Sequence, residues 1–241
     1  MIANEMRKRF QILYMNATPV DMGYNNEEIS RFLTLAQLKY IKQRVFANRN
    51  EVGEGFEYGT KRTIELAELK KYALFINTGW VTGKYSNSVQ IDLPNDYLYN
   101  IQELVDITHG GTVYTSVQVL PVNEDNYIED IKNPFRQPNH RMIWRMELAN
   151  LTVHTGNTDN EVNIKALLIG DSNTTINNYR LTYIRYPNDI TVDTRTPSNQ
   201  RHCELNESTH DEIVRLAVEM ALGATGNEKY QIGIRESNED V

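Results

Sequence analysis

The spacing of apolar residues changes period twice along this 241-residue chain, and that change restricts its possible folds more than any motif does. Through about residue 77 the apolar positions recur every three or four residues, as on the buried stripe of amphipathic helices. From 78 to 203 they recur every second residue, as on strands with one buried face. From 204 to 226 the helical spacing returns. This order predicts an α+β protein, a helical bundle of three N-terminal helices and one late helix with an antiparallel β-rich domain inserted between them. It lacks the alternating strand and helix units that build the common α/β catalytic folds.

The early helices differ in clarity. In "NEMRKRFQILYMNA", Ile2, Met6, Phe10 and Leu13 or Tyr14 share a stripe, and the turn signals Pro19 and Gly23 follow. The second segment, "NNEEISRFLTLAQLKYIKQRVFANRN", opens with Asn26 as a candidate cap and two acids in its first turn. It places Ile29, Phe32, Leu33, Ala36 and Tyr40 on one face. After Gly53 and Gly55, "FEYGTKRTIELAELKKYALFI" predicts a third helix, with Ile64, Leu66, Ala67, Leu69 and Ala73 toward a core. In the late segment Ser208 precedes Asp211 by three residues, like a capping box, and Ile213, Leu216, Ala217 and Met220 make the stripe. The bundle core is therefore expected where Ile29, Phe32, Leu33, Ala36 and Tyr40 meet Ile213, Leu216, Ala217 and Met220.

Between these helices, "NSVQIDLPNDY", "TVYTSVQVLPV", "MIWRMEL", "EVNIKALLIG" and "NYRLTYIRYPNDI" alternate as strands, separated by loops rich in Asn, Gly and Pro. The division reads as 1–77 for the first part of the bundle, 78–203 for the β-rich domain, 204–226 for the late helix and 227–241 for a C-terminal arm. In that arm Tyr230, Ile232 and Ile234 alternate with polar residues, which suits an extended strand added to a neighbour's sheet edge.

Charge and cysteine content narrow the function. The net charge of −7 argues against a dedicated duplex DNA binder, whose phosphate contacts need a basic face. The excess is uneven, because residues 1–72 hold 12 basic and 9 acidic side chains and the remainder holds 13 and 23. The single Cys203 excludes an internal disulfide, and the five histidines show no metal-ligand spacing. No phosphate-binding glycine loop occurs, so neither a cofactor nor a metal is expected. "NEDNYIEDIKNP" lacks the glycine and closing glutamate of a calcium loop and reads as a solvated loop. With no apolar run of membrane-spanning length and no signal-peptide pattern, a soluble protein made in the cytoplasm is expected.

One stretch invites another reading. In "LLIGDSNTT" an apolar run leads to Gly170, Asp171 and Ser172, which resembles the nucleophile block of GDSL lipases and esterases. That resemblance implies a serine near the N-terminus and a late Asp-x-x-His pair, whereas here the pair Asp106 and His109 lies upstream of the serine. A turn is the simpler reading. The hydrolase alternative requires Ser172, Asp106 and either His109 or His210 to converge. "HGG" at 109–111 reads likewise as a hairpin turn rather than an oxyanion loop.

A second resemblance covers most of the chain in order. Arg9, Phe10, Leu13 and Tyr14, then Glu28, Ile29, Ser30, Phe32, Leu33, Thr34, Ala36 and Gln37, resemble the opening of virion proteins of crAss-like phages of Bacteroidetes. "NPFRQPNHRMIWRME", "YRLTYIRYPNDI" and "CELNESTHDEIVRLAVEMAL" are similar to their central and closing segments. The resemblance implies a non-enzymatic head–tail connector, an adaptor ring at the head–tail junction of the virion. Its partners would be the portal protein, neighbouring copies in a ring that is commonly a dodecamer, other tail ring proteins and passing genomic DNA, with no membrane. Another ring of the tail tube or a stopper ring remains the alternative. An acidic lumen would let DNA slide rather than stick.

Overall fold

A computed structural model describes residues 1–17, 23–45, 64–80, 82–85, 87–150, 163–193 and 196–224. The described helices are α1 (Ala3–Ala17), α2 (Asn26–Val45), α3 (Glu124–Lys132) and α4 (His210–Ala224). The strands are β1 (Lys70–Ile76), β2 (Ser88–Asp92), β3 (Tyr97–His109), β4 (Thr112–Pro121), β5 (Met142–Asn150), β6 (Asn163–Ile169) and β7 (Thr174–Arg185). Contacts divide the chain into a helical unit, Met1–Leu69 with Pro187–Val241, and a β unit, Lys70–Tyr186.

In the helical unit α4 packs on both α1 and α2. Every third or fourth residue of α1 is buried, namely Ala3, Met6, Phe10 and Tyr14. Ile29, Leu33, Ala36 and Tyr40 of α2 are buried, as are Ile213, Leu216 and Ala217 of α4, while Phe32 and Met220 are half-buried. Arg44, near the end of α2, pairs at 3.0 Å with Glu212 in the first turn of α4, so these two helices run in opposite senses. Arg9 of α1 pairs with Asp211, and Met1 pairs with Glu207 just before α4.

Local chemistry at the helix starts differs from expectation. Asn25, not Asn26, caps α2: its side chain accepts from the Glu28 N–H at 2.9 Å, and Glu28 accepts from the Asn25 N–H at 2.8 Å. This is a reciprocal capping box. Before α4, Asn206 rather than Ser208 is the capping side chain, accepting from the Ser208 N–H at 3.0 Å. The third early segment is helical at Ile64 and Glu65, and the part of it before Ile64 lies outside the described residues. After the helical turn Ala67–Leu69, residues 70–76 form strand β1. Leu66 and Leu69 are fully buried, and Glu65 accepts a hydrogen bond from the Tyr40 hydroxyl at 2.8 Å beside Arg44 at 3.1 Å. Among the described residues α4 packs on α1 and α2, and the buried Leu66 and Leu69 belong to the same unit. A strand takes over from Lys70, where "YALFI" is rich in residues that favour strands and carries apolar residues at both parities.

His210 begins α4 and is 4% exposed. Its Nε2–H donates to the Leu205 carbonyl at 2.8 Å, leaving buried Nδ1 without a partner. Burial pushes its pKa below the ordinary histidine value, against a smaller upward pull from that carbonyl. The unfolded chain therefore takes up a proton that the folded chain refuses. Stability should be full above about pH 6.5 and fall as the pH drops below it. Thermal melts between pH 7 and 5 should show this slope, and His210→Gln should flatten it. Equal slopes for both proteins would rule His210 out.

The β unit is one seven-stranded sheet in the order β1-β7-β3-β4-β5-β6-β2. All pairs are antiparallel except β4 with β5, which corrects the expected antiparallel domain to a mixed sheet. A parallel pair needs a long crossover, and α3 supplies it. That helix also corrects the solvated-loop reading of "NEDNYIEDIKNP". Tyr127 and Ile131, four residues apart, cover Trp144.

The strand order also fixes the sheet's curvature. β6 and β7 are joined by four residues, Gly170 to Asn173, yet β5, β4 and β3 lie between them in the sheet. In a flat sheet they would stand about 19 Å apart at ~4.8 Å per strand. Five peptide steps reach at most ~17 Å. The sheet therefore curls, and its concave side holds a core that includes Ile91, Val105, Ile107, Val119, Ile143, Leu168, Tyr179 and Leu181. On the other side α3 covers Trp144, Met146, Leu167 and Ile169. Strand β5 was expected to bury one face through Met142, Trp144, Met146 and Leu148. Instead both faces are covered, since Ile143 is as buried as Trp144.

That alternation also turns Arg145 inward. It is 5% exposed, with Nε 2.9 Å from Glu103 Oε1 of β3 and a second contact to Glu147. The Nε contact is an ion pair rather than an aligned hydrogen bond. Tyr179 of β7 donates to Glu103 at 2.6 Å, and Tyr97 donates to Glu147 at 3.0 Å. Burial pushes the Glu103 carboxyl up, and the Arg145 and Tyr179 contacts offset only part of that rise.

Candidate functional site

The serine of the hydrolase reading sits at the end of β6. Gly170 to Asn173 form a turn in which Asp171 accepts from the Asn173 N–H at 3.0 Å and from the Thr174 hydroxyl. Asp171 is thus a turn-making residue. Ser172 is exposed at the tip. His109, at the end of β3, lies 3.0 Å from Thr174 Oγ1 and 3.3 Å from Asp171 Oδ2.

Asp106 does not join this group. It is three residues from His109 on the same strand, which sets the two on opposite faces. Its carboxylate instead clamps a bulge. Ser116, with φ of 58°, stands in the left-handed region opposite Asp106, which accepts its N–H at 2.9 Å and also holds Asn178 and Arg180. Burial alone would raise the Asp106 carboxyl, but these donors outweigh it and hold it below the usual carboxylate range. His210 belongs to the helical unit, bound to Leu205. The structure therefore gathers His109 with Asp171 and Thr174, not with Asp106. The "HGG" glycines make the β3–β4 hairpin turn, with φ of 56° and 83° at Gly110 and Gly111.

Among the described residues no group of three or more His, Cys, Asp or Glu side chains could hold a metal ion, and no helix is long and apolar enough to cross a membrane. Burial pushes the Cys203 thiol up to about 11, so it stays protonated at neutral pH and is a poor nucleophile.

What the surface offers instead is apolar area. β1 presents an outward row of Tyr72, Leu74 and Ile76, which are 61%, 50% and 58% exposed. On α1, Ile12, Leu13 and Met15 are exposed, and Ile12 and Leu13 border a groove of about 250 Å³ with Val214 and Arg215 of α4. Beyond α3, Phe135 is 93% exposed, with Ile128 exposed on the helix itself. The sequence reading passed over them, although the run "YALFI" and the lone aromatic in "NPFRQP" were the available signals. The expected arm residues Tyr230, Ile232 and Ile234 lie outside the described residues.

Comparison with known proteins places these surfaces in context. The family model described as phage tail ring protein 3/4 matches residues 1–231. "Ring protein 4/5" of Bacteroides phage crAss001 is 31% identical over 242 residues, covering 93% of each chain. "Ring protein 3" of the same phage is 26% identical over 209 residues, covering 81% of this chain and 83% of that one. With a match spanning nearly the whole sequence and both structural units, the chain belongs to the phage tail ring protein 3/4 family of crAss-like phages.

Proposed function

We propose that the chain is a structural virion protein, one subunit of a ring built from copies of itself in the tail of a crAss-like phage. The observation that carries this is the family match over residues 1–231, joined by two relatives named as ring proteins. The exposed apolar rows on β1, α1 and around Phe135 support it, because a ring subunit must offer surfaces to its neighbours. In the finer reading the ring is a head–tail connector that docks on the portal, as a dodecamer, and lines the DNA exit channel. The acidic excess beyond residue 72 fits a lumen that repels phosphate. The family description, a tail ring, equally favours a position further down the tail, among other ring proteins. Electron microscopy of the virion separates these readings by the height and symmetry of the density this chain fills. Density against the portal supports the connector, and density below other rings the tail position.

The reading includes that the chain is not an enzyme. Its support is that both relatives are named as ring proteins, and that Asp106, the acid of the Ser172, Asp106 and His set, is engaged by Arg180 and Ser116 instead of His109. Purified protein should leave a generic ester intact. Ser172→Ala, a change at an exposed turn tip, should shift stability by less than ~0.5 kcal/mol. Ester hydrolysis that disappears in Ser172→Ala would sink this part of the proposal.

A further inference from the structure

The two ends of the curled sheet are finished differently. Beside β2, Thr82 bridges to Val89 and the Gly83 N–H donates to the Ser88 carbonyl at 2.9 Å, so its outer side is already occupied. A Cβ at Gly83 would collide with Leu167 and Ser88, so the lack of one permits this close approach. β1 ends the sheet at the other side, pairing through all seven residues with β7 alone among the described strands. A strand edge of this length, last in the sheet among the described strands and beside an exposed apolar row, is a template for an incoming strand.

The sequence contains one segment that fits it residue for residue. Tyr230, Ile232 and Ile234 alternate with polar residues and are followed by Glu236. Laid antiparallel on β1, they match Tyr230 to Ile76, Ile232 to Leu74 and Ile234 to Tyr72. The next position on that face sets Glu236 opposite Lys70, and Gly233 falls opposite Ala73 on the other face. A parallel strand would instead bring the acidic end "ESNEDV" to Ile76, away from Lys70 and Lys71. Cross-strand apolar pairs and one opposite-charge pair on the same face all favour the antiparallel register.

We propose that residues 230–236 of one copy add as an antiparallel strand to the β1 edge of the next copy, with Glu236 opposite Lys70. Such a contact joins two different surfaces, so it propagates from copy to copy and can close a ring. The proposal rests on the ring reading only in taking the donor to be a second copy of this chain.

Directly opposed residues on antiparallel strands have Cα atoms about 4.5–5.5 Å apart, within disulfide range. Full-length Lys70→Cys and full-length Glu236→Cys are mixed and mildly oxidised, and buried Cys203 does not compete. The expected result is a linked species that moves from 27.9 kDa to about twice that mass, lost on reduction. Glu228→Cys, eight positions out of register, should not link to Lys70→Cys. No linked heterodimer, or equal linkage from position 228, overturns the proposal. A single chain carrying both cysteines that links only to itself overturns it too, because the segment would then fold back. Electron microscopy of the virion tests the ring reading separately. Linked pairs without rings sink that reading and leave the edge contact standing, whereas rings without linkage do the reverse.

Discussion

Replacing Arg145 with Ala is expected to cost the β unit about 3–5 kcal/mol, because it strips the counter-charge from a buried carboxylate. Glu103 is 8% exposed and would keep only neutral partners, Asn100 and the Tyr179 hydroxyl, inside the concavity of the curled sheet. Arg145 on β5 and Glu103 on β3 lie on strands with β4 between them, so their pairing draws together parts of the sheet that are not hydrogen-bonded neighbours. Removing both charges is a different experiment. Arg145→Met with Glu103→Gln leaves no buried ion, and the double variant should recover much of the loss. Both tryptophans, Trp80 and Trp144, belong to the β unit, so denaturant unfolding followed by tryptophan fluorescence reads it directly. A loss under about 1 kcal/mol for Arg145→Ala would place the pair among surface-like bridges and contradict its burial.

Phe10→Ala should be nearly as damaging to the helical unit, at about 3–5 kcal/mol. The ring is 1% exposed and touches α1, α2 and the segment between them: Tyr14 at 6.0 Å, Phe32 at 6.3 Å and Tyr24 at 6.3 Å between centroids. Truncation leaves a cavity lined by rings that rigid helices hold apart and that cannot collapse inward. The loss combines the transfer free energy of the ring with the cavity term. Circular dichroism at the helical wavelength during denaturation measures it. Phe10→Leu, which refills most of the volume, should restore the greater part, and equal losses for Leu and Ala would show that ring stacking rather than volume holds the site.

The periodic parts of the fold were legible in the sequence for a simple reason. A helix with one buried face must repeat every three or four residues, so the stripes of α1, α2 and α4 identify both the helices and their buried residues. Gly110 and Gly111 announced their hairpin because two successive positive φ values suit glycine best. The ring family was legible too, through segments spread along the whole chain rather than through any reactive group.

Where apolar residues stand at both parities of an element, the pattern disappears and only the tertiary structure decides. β1 and β5 carry apolar residues at both parities, so their sequences do not say which residue faces which core. β1 accordingly resembled a helix. Asp106 and His109 looked like a catalytic pair because spacing in sequence carries no information about a bulge that recruits one of them. The parallel pairing of β4 with β5 and the curl forced by the short β6–β7 link depend on which strands become neighbours, which no local stretch encodes. The sequence by itself determined α1, α2 and α4, the Gly110–Gly111 turn and the family. Only the closed geometry of the sheet decided that Arg145 is buried with Glu103, that Asp106 clamps a bulge, and that β1 comes last in the sheet among the described strands, because each of these follows from contacts between residues distant along the chain.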